Sequence, residues 1–130
     1  MARVTVVNDN PEFLELMRDI LEDDRYDTTT IDGDRDDALD AICASRPDLL
    51  MIDLRKGPQE LHGWDIAQQV RRQPELGGLP ILVCSADTEA LAAIADQLAA
   101  TRYVATLTKP FRIDALNAAI DRLLAEVSPR

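Results

Sequence analysis

The sequence predicts an α/β fold in which five strand–helix units build one doubly wound parallel sheet. Three observations lead there. Short apolar runs alternate along the chain with segments of helical spacing, the pattern of strands joined by crossover helices. Three of the runs, at 4–7, 49–52 and 81–84, are largely apolar without strict alternation, as strands buried on both faces should be. The third is size: 130 residues, 46% hydrophobic and 29% charged, suffice for one packed core and leave little room for a second, so 1–130 is expected to form a single domain.

Val4-Thr5-Val6-Val7 reads as the first strand, and Asn10-Pro11 as the start of the first helix. Asn is a good N-cap and Pro fits the first helical position. Phe13, Leu14, Met17, Ile20 and Leu21 then recur at helical spacing. Tyr26 to Ile31 is β-prone but carries Thr28, Thr29 and Thr30, so it is placed at a sheet edge. Ala38, Leu39 and Ile42 mark the second helix. Leu49-Leu50-Met51-Ile52 ends abruptly at Asp53, followed by a loop with Gly and Pro and a third helix near Trp64 to Arg72. Ile81-Leu82-Val83-Cys84 is the fourth strand. A helix from about Asp87 to Ala100 follows, then a strand from Tyr103 to Leu107. A last helix carries Ile113, Leu116, Ile120, Leu123, Leu124 and Val127. The strand order that suits this pattern is 2-1-3-4-5, with chemistry at the carboxyl ends of the central strands.

Those ends hold Asn8-Asp9-Asn10, Asp53, Ser85-Ala86 and Thr108-Lys109-Pro110. Two carboxylates, one hydroxyl and one ammonium therefore fall at one rim from four separate segments. Carboxylates so placed repel unless a cation joins them, and Mg²⁺ suits oxygen ligands and keeps several waters. Lysine and a hydroxyl are apt donors to a phosphoryl group. A carboxylate beside Mg²⁺ can attack a phosphoryl donor and form an acyl phosphate. Each residue alone has a plainer reading: a strand-end Asp as a turn residue, Lys-Pro as a solvated loop, Ser85 as a helix cap. The conjunction is the signal.

Val6-Val7-Asn8-Asp9-Asn10-Pro11, Leu49-Leu50-Met51-Ile52-Asp53-Leu54, Ile81-Leu82-Val83-Cys84-Ser85-Ala86 and Lys109-Pro110-Phe111 resemble, over essentially the whole chain, the receiver family of two-component response regulators, the chemotaxis regulators among them. The resemblance implies a flavodoxin-like fold and phosphorylation of Asp53 by a histidine kinase or phosphotransfer protein. It implies Mg²⁺ held by Asp9, Asp53 and the backbone carbonyl of Arg55; Asn8, uncharged, can still hydrogen-bond a water on the ion. Ser85 and Lys109 would contact the phosphoryl oxygens, and Ala86 would leave them accessible. Such a domain assists its own phosphotransfer and dephosphorylation and is not a conventional enzyme.

Four features depart from the family pattern. Asn8 stands where an acid is usual. Pro58 and Gly63 lie five and ten residues after Asp53 rather than four and eight, a loop about two residues longer. Thr106 occupies the aromatic switch position three residues before the lysine, and Tyr103 lies three residues earlier still. The alanine-rich stretch at 88–100 is apolar on more than one helical face. That pattern has two readings: high helix propensity, or a patch for pairing of two copies or for partner docking.

Other classes fit less well. A net charge of −10 opposes nucleic-acid binding. No apolar run is long enough to span a bilayer and no signal peptide is evident, so a cytoplasmic protein is expected. Cys43 and Cys84 lack metal-type spacing and read as reduced core thiols. His62, the sole histidine, is not read as a phosphohistidine, and Trp64 is read as packing. A haloacid-dehalogenase-type phosphatase needs a general acid two residues after its nucleophile, and Arg55 stands there. No glycine-rich phosphate loop follows the first strand. A receiver-like interaction module that works without phosphorylation is the runner-up, favoured by Asn8 and Thr106.

Overall fold

A computed structural model describes residues 2–54, 62–86 and 88–127. The strands are β1 (Arg3–Asn8), β2 (Asp27–Asp32), β3 (Leu49–Asp53), β4 (Ile81–Ser85) and β5 (Val104–Thr108). The helices are α1 (Pro11–Asp23), α2 (Ala38–Ser45), α3 (His62–Arg71), α4 (Thr88–Ala93), α5 (Ala95–Ala100) and α6 (Ile113–Val127). All strand pairs are parallel, and the order is β2-β1-β3-β4-β5, as the apolar pattern required.

Side-chain alternation along the strands sorts the core into two layers. Val7, Ile31, Leu50, Ile52, Ile81 and Val83 pack with α2, α3 and α4 on one face. Val4, Val6, Leu49, Met51, Leu82 and Cys84 pack with α1 and α6 on the other. The three central strands are buried almost throughout, which is why their sequences are nearly continuous apolar runs. The polar β2 lies at one edge, as expected, and β5 at the other.

Three boundaries differ from the sequence reading, each for a local reason. β2 starts at Asp27, because Arg25 adopts a left-handed φ of 70° and the Tyr26 N–H closes α1 on the Leu21 carbonyl. β5 starts at Val104, because Tyr103 is also left-handed, with φ 59°. The single helix expected from about Asp87 to Ala100 is two helices. Ile94 leaves helical geometry (φ −112°, ψ 14°) while its side chain is buried in the α3-side core. Burial of Ile94 overrides the alanine propensity. The outward surface of this stretch is small: Ala92, Ala93, Ala99 and Ala100 are exposed, while Leu91 and Leu98 pack partly on the core. Asp87 and the stretch 55–61, with Arg55 and Pro58, lie outside the described residues.

Candidate functional site

The site forms where β1, β3, β4 and β5 end together. β1 ends at Asn8, whose buried side chain accepts the Asn10 N–H through Oδ1 at 2.8 Å. Asn10 in turn caps α1: its Oδ1 accepts from the Glu12 N–H at 2.9 Å and the Phe13 N–H at 3.4 Å. The Asn-x-Asn-Pro segment thus turns the chain sharply from strand to helix and leaves Asp9 exposed between the two amides. Gly33, after β2, donates its N–H to the Asn8 carbonyl at 3.1 Å and braces this end from the side.

Asp53 closes β3 in register with Cys84, and the Leu54 N–H donates to the Cys84 carbonyl at 3.2 Å. Ser85 ends β4 one step further on and is buried. Its carbonyl accepts the Lys109 N–H at 2.9 Å, which ties the end of β5 to the end of β4. The Lys109–Pro110 peptide is cis. Lys109 Nζ lies 3.0 Å from Asp53 Oδ1, and the two side chains are 21% and 18% exposed. The rim therefore carries a partly desolvated ion pair between segments 56 residues apart. Burial pushes the neighbouring Cys84 thiol up to about 12; Lys109 opposes the shift and Asp53 adds to it.

Asn8, Asp9, Gly33, Asp53 and Gly63 line one small hollow. Its donors are two carboxylates and an amide, and among the described residues no group of three or more His, Cys, Asp or Glu side chains is placed to hold a metal ion. Such a set fits a hard cation that keeps several of its waters, as Mg²⁺ does. The sequence-derived residues Asn8, Asp9, Asp53, Ser85 and Lys109 thus meet at one rim. Thr106 does not join them: it lies in mid-β5 opposite Val83, exposed. Tyr103 sits at the opposite, amino end of that strand. Arg55 falls outside the described residues, and the side chain of His62 is likewise not described.

Two participants escaped the sequence reading. The Phe13 ring lies under Lys109, with Nζ 4.0 Å from its centroid; its place in the amphipathic pattern of α1 marks it only as core. Gly63 stands out in the sequence by its spacing alone. In the structure its Cα faces the Asp53 backbone so closely that a methyl group there would overlap the Asp53 carbonyl oxygen. Only glycine lets α3 start this near β3.

Comparison with known proteins agrees with this architecture. The chain is 31% identical over 123 residues to the sensor histidine kinase TmoS of Ectopseudomonas mendocina, covering 95% of this chain and 12% of that protein. It spans between 12% and 36% of the length of the curated relatives it matches. The chemotaxis protein CheY4 of Vibrio cholerae superposes with a TM-score of 0.79 at 25% identity, over 95% of this chain and 98% of that one. The response regulator TrrA of Thermotoga maritima, solved in complex with Mg²⁺-BeF, superposes with a TM-score of 0.76 at 22% identity, over 95% and 99% of the two chains. The sequence profile of the response regulator receiver domain matches residues 4–121, and this chain belongs to that family of two-component signalling domains.

Proposed function

We propose that the chain is a phosphorylatable receiver that accepts a phosphoryl group on Asp53. The observation that carries this reading is the contact of Lys109 Nζ with Asp53 Oδ1, at a rim where Asp9 lines the same hollow. The carboxylate is the nucleophile: its oxygen bonds to phosphorus as the bond to the donor breaks and the donor leaves with the electron pair. Lys109 keeps its protons and donates a hydrogen bond to a phosphoryl oxygen, and the Ser85 hydroxyl does the same. Asp9 and Asp53 would hold Mg²⁺, Asn8 through a water, with the Arg55 carbonyl as the family resemblance implies. When bound, the ion supplies positive charge where the phosphoryl oxygens gather. The donor is a histidine kinase or a phosphotransfer protein, and the domain assists its own phosphorylation and dephosphorylation rather than turning over a separate substrate. The output passes through protein–protein contact, in keeping with a net charge of −10 that repels nucleic acid. We place it in the cytoplasm; among the described residues no helix is long and apolar enough to cross a membrane.

Incubation with acetyl phosphate and Mg²⁺, followed by intact-mass measurement, tests the reading. We expect one phosphoryl adduct on the wild type and none on Asp53→Asn. No adduct on either chain would favour the second reading, an interaction module that works unphosphorylated. The observation behind that alternative is Asn8, whose amide oxygen is committed to the Asn10 N–H and brings no charge to the hollow.

A further inference from the structure

We propose that Phe13 is a positioning residue for phosphotransfer at Asp53, its ring face seating the Lys109 ammonium against the acceptor carboxylate. The inference rests on the phosphoacceptor reading above and adds to it a residue on α1.

The Lys109 ammonium sits between two groups, 3.0 Å from Asp53 Oδ1 and 4.0 Å from the centre of the Phe13 ring. Lysine ends in a strongly hydrated point charge on a flexible four-carbon stem. With the side chain 21% exposed, a single carboxylate contact holds it only loosely against water. The aromatic face attracts the cation through its quadrupole and brings no net charge. That distinction matters at this rim. A third carboxylate in the ring's place would bind the ammonium, but it would also stand beside Asp9 and Asp53 and repel an incoming phosphoryl group.

The ring is held firmly. Phe13 is the third residue of α1, and its N–H is one of the two that Asn10 caps. The Asn10 N–H is held by the buried Asn8 amide. The side chain packs partly into the α1/α6-side core, which Leu107 and Phe111 also join. Asn8, Asn10 and Phe13 therefore form one hydrogen-bonded turn that presents an aromatic face to Lys109. During transfer from acetyl phosphate, an Asp53 oxygen bonds to phosphorus, the bond from phosphorus to the acetyl oxygen breaks, and acetate leaves with the electron pair. The Lys109 N–H, with no proton lost, passes from the carboxylate oxygen to a phosphoryl oxygen. The ring keeps the ammonium at the rim while that partner changes.

The test compares wild type, Phe13→Leu and Phe13→Tyr. The rate of adduct formation with acetyl phosphate and Mg²⁺ is followed by intact mass, and the lysine side chains by ¹³Cε-resolved NMR. Lys56 and Lys109 are the only lysines, so the spectrum holds two signals. Phe13→Leu keeps an apolar filling but removes the ring. It is expected to slow adduct formation about three- to ten-fold and to abolish the ring-current shift of the Lys109 signal. Phe13→Tyr is expected to retain the shift and to stay within about two-fold of the wild-type rate. A wild type that is phosphorylated and a Phe13→Leu chain that matches its rate would overturn this inference alone, as would Phe13→Tyr slowing as much as Phe13→Leu. A wild type that takes up no phosphoryl group overturns the phosphoacceptor reading and this inference with it.

Discussion

At the scale of single residues, Asn8 decides how much charge the hollow holds. Its side chain is buried and accepts the Asn10 N–H, a role that an aspartate oxygen could fill equally well. Asn8→Asp would keep the turn and add a carboxylate beside Asp9 and Asp53. The expected outcome is Mg²⁺ affinity higher on the order of ten-fold, read by titrating the ion into both chains; equal affinities would contradict this account of Asn8. The residues that meet at the rim were legible because each ends an apolar run. Phe13 was not, since an aromatic in an amphipathic helix signals burial and says nothing about which cation lies above it. Thr106 lies exposed in mid-β5, away from the rim.

At the scale of elements, the approach of α3 to β3 depends on Gly63. Its missing Cβ allows the helix to begin against the Asp53 carbonyl. Gly63→Ala must push that backbone apart, since the obstacle is main chain and cannot rotate away. A loss of about 2–3 kcal/mol is expected, measured by urea unfolding, and wild-type stability in this variant would show that α3 shifts freely. The next residue, Trp64, is buried and donates its indole N–H to Gln97 Oε1 at 2.7 Å; Gln68 Nε2 donates to the same oxygen at 3.2 Å. The second half of the broken helix, α5, is thereby pinned to α3. The expectation of packing for Trp64 agrees with its burial, but its partner lies 33 residues away and no local spacing could name it. The break at Ile94 was equally illegible, because alanine-rich sequence favours helix on both sides and only the core face requires the turn.

At the scale of the whole molecule, two groups bind stability to pH. Burial raises the Cys84 thiol to about 12. Burial first, then the bond to Asp121, raises the Tyr26 hydroxyl to about 12 as well. Both groups are neutral when protonated, and the folded state holds the proton more tightly than the unfolded chain does. Their contribution is complete below the unfolded values and declines as pH rises through the folded ones. Stability should therefore fall between about pH 9 and pH 12. Chemical unfolding across that range checks this, and Cys84→Ala should show a shallower decline; parallel curves would mean the thiol stays protonated by other means.

The amino-acid sequence alone determined the layered α/β architecture, the strand order and the set of polar residues at the rim. It could do so because apolar periodicity, capping residues and abrupt strand ends are local and repeat in each unit. Tertiary structure alone decided which rim groups touch, what lies beneath the lysine, why a glycine must stand at the start of α3 and where the alanine-rich helix breaks. Those features depend on distances between segments far apart in the chain, and such distances are set only when the two helical layers close on the sheet.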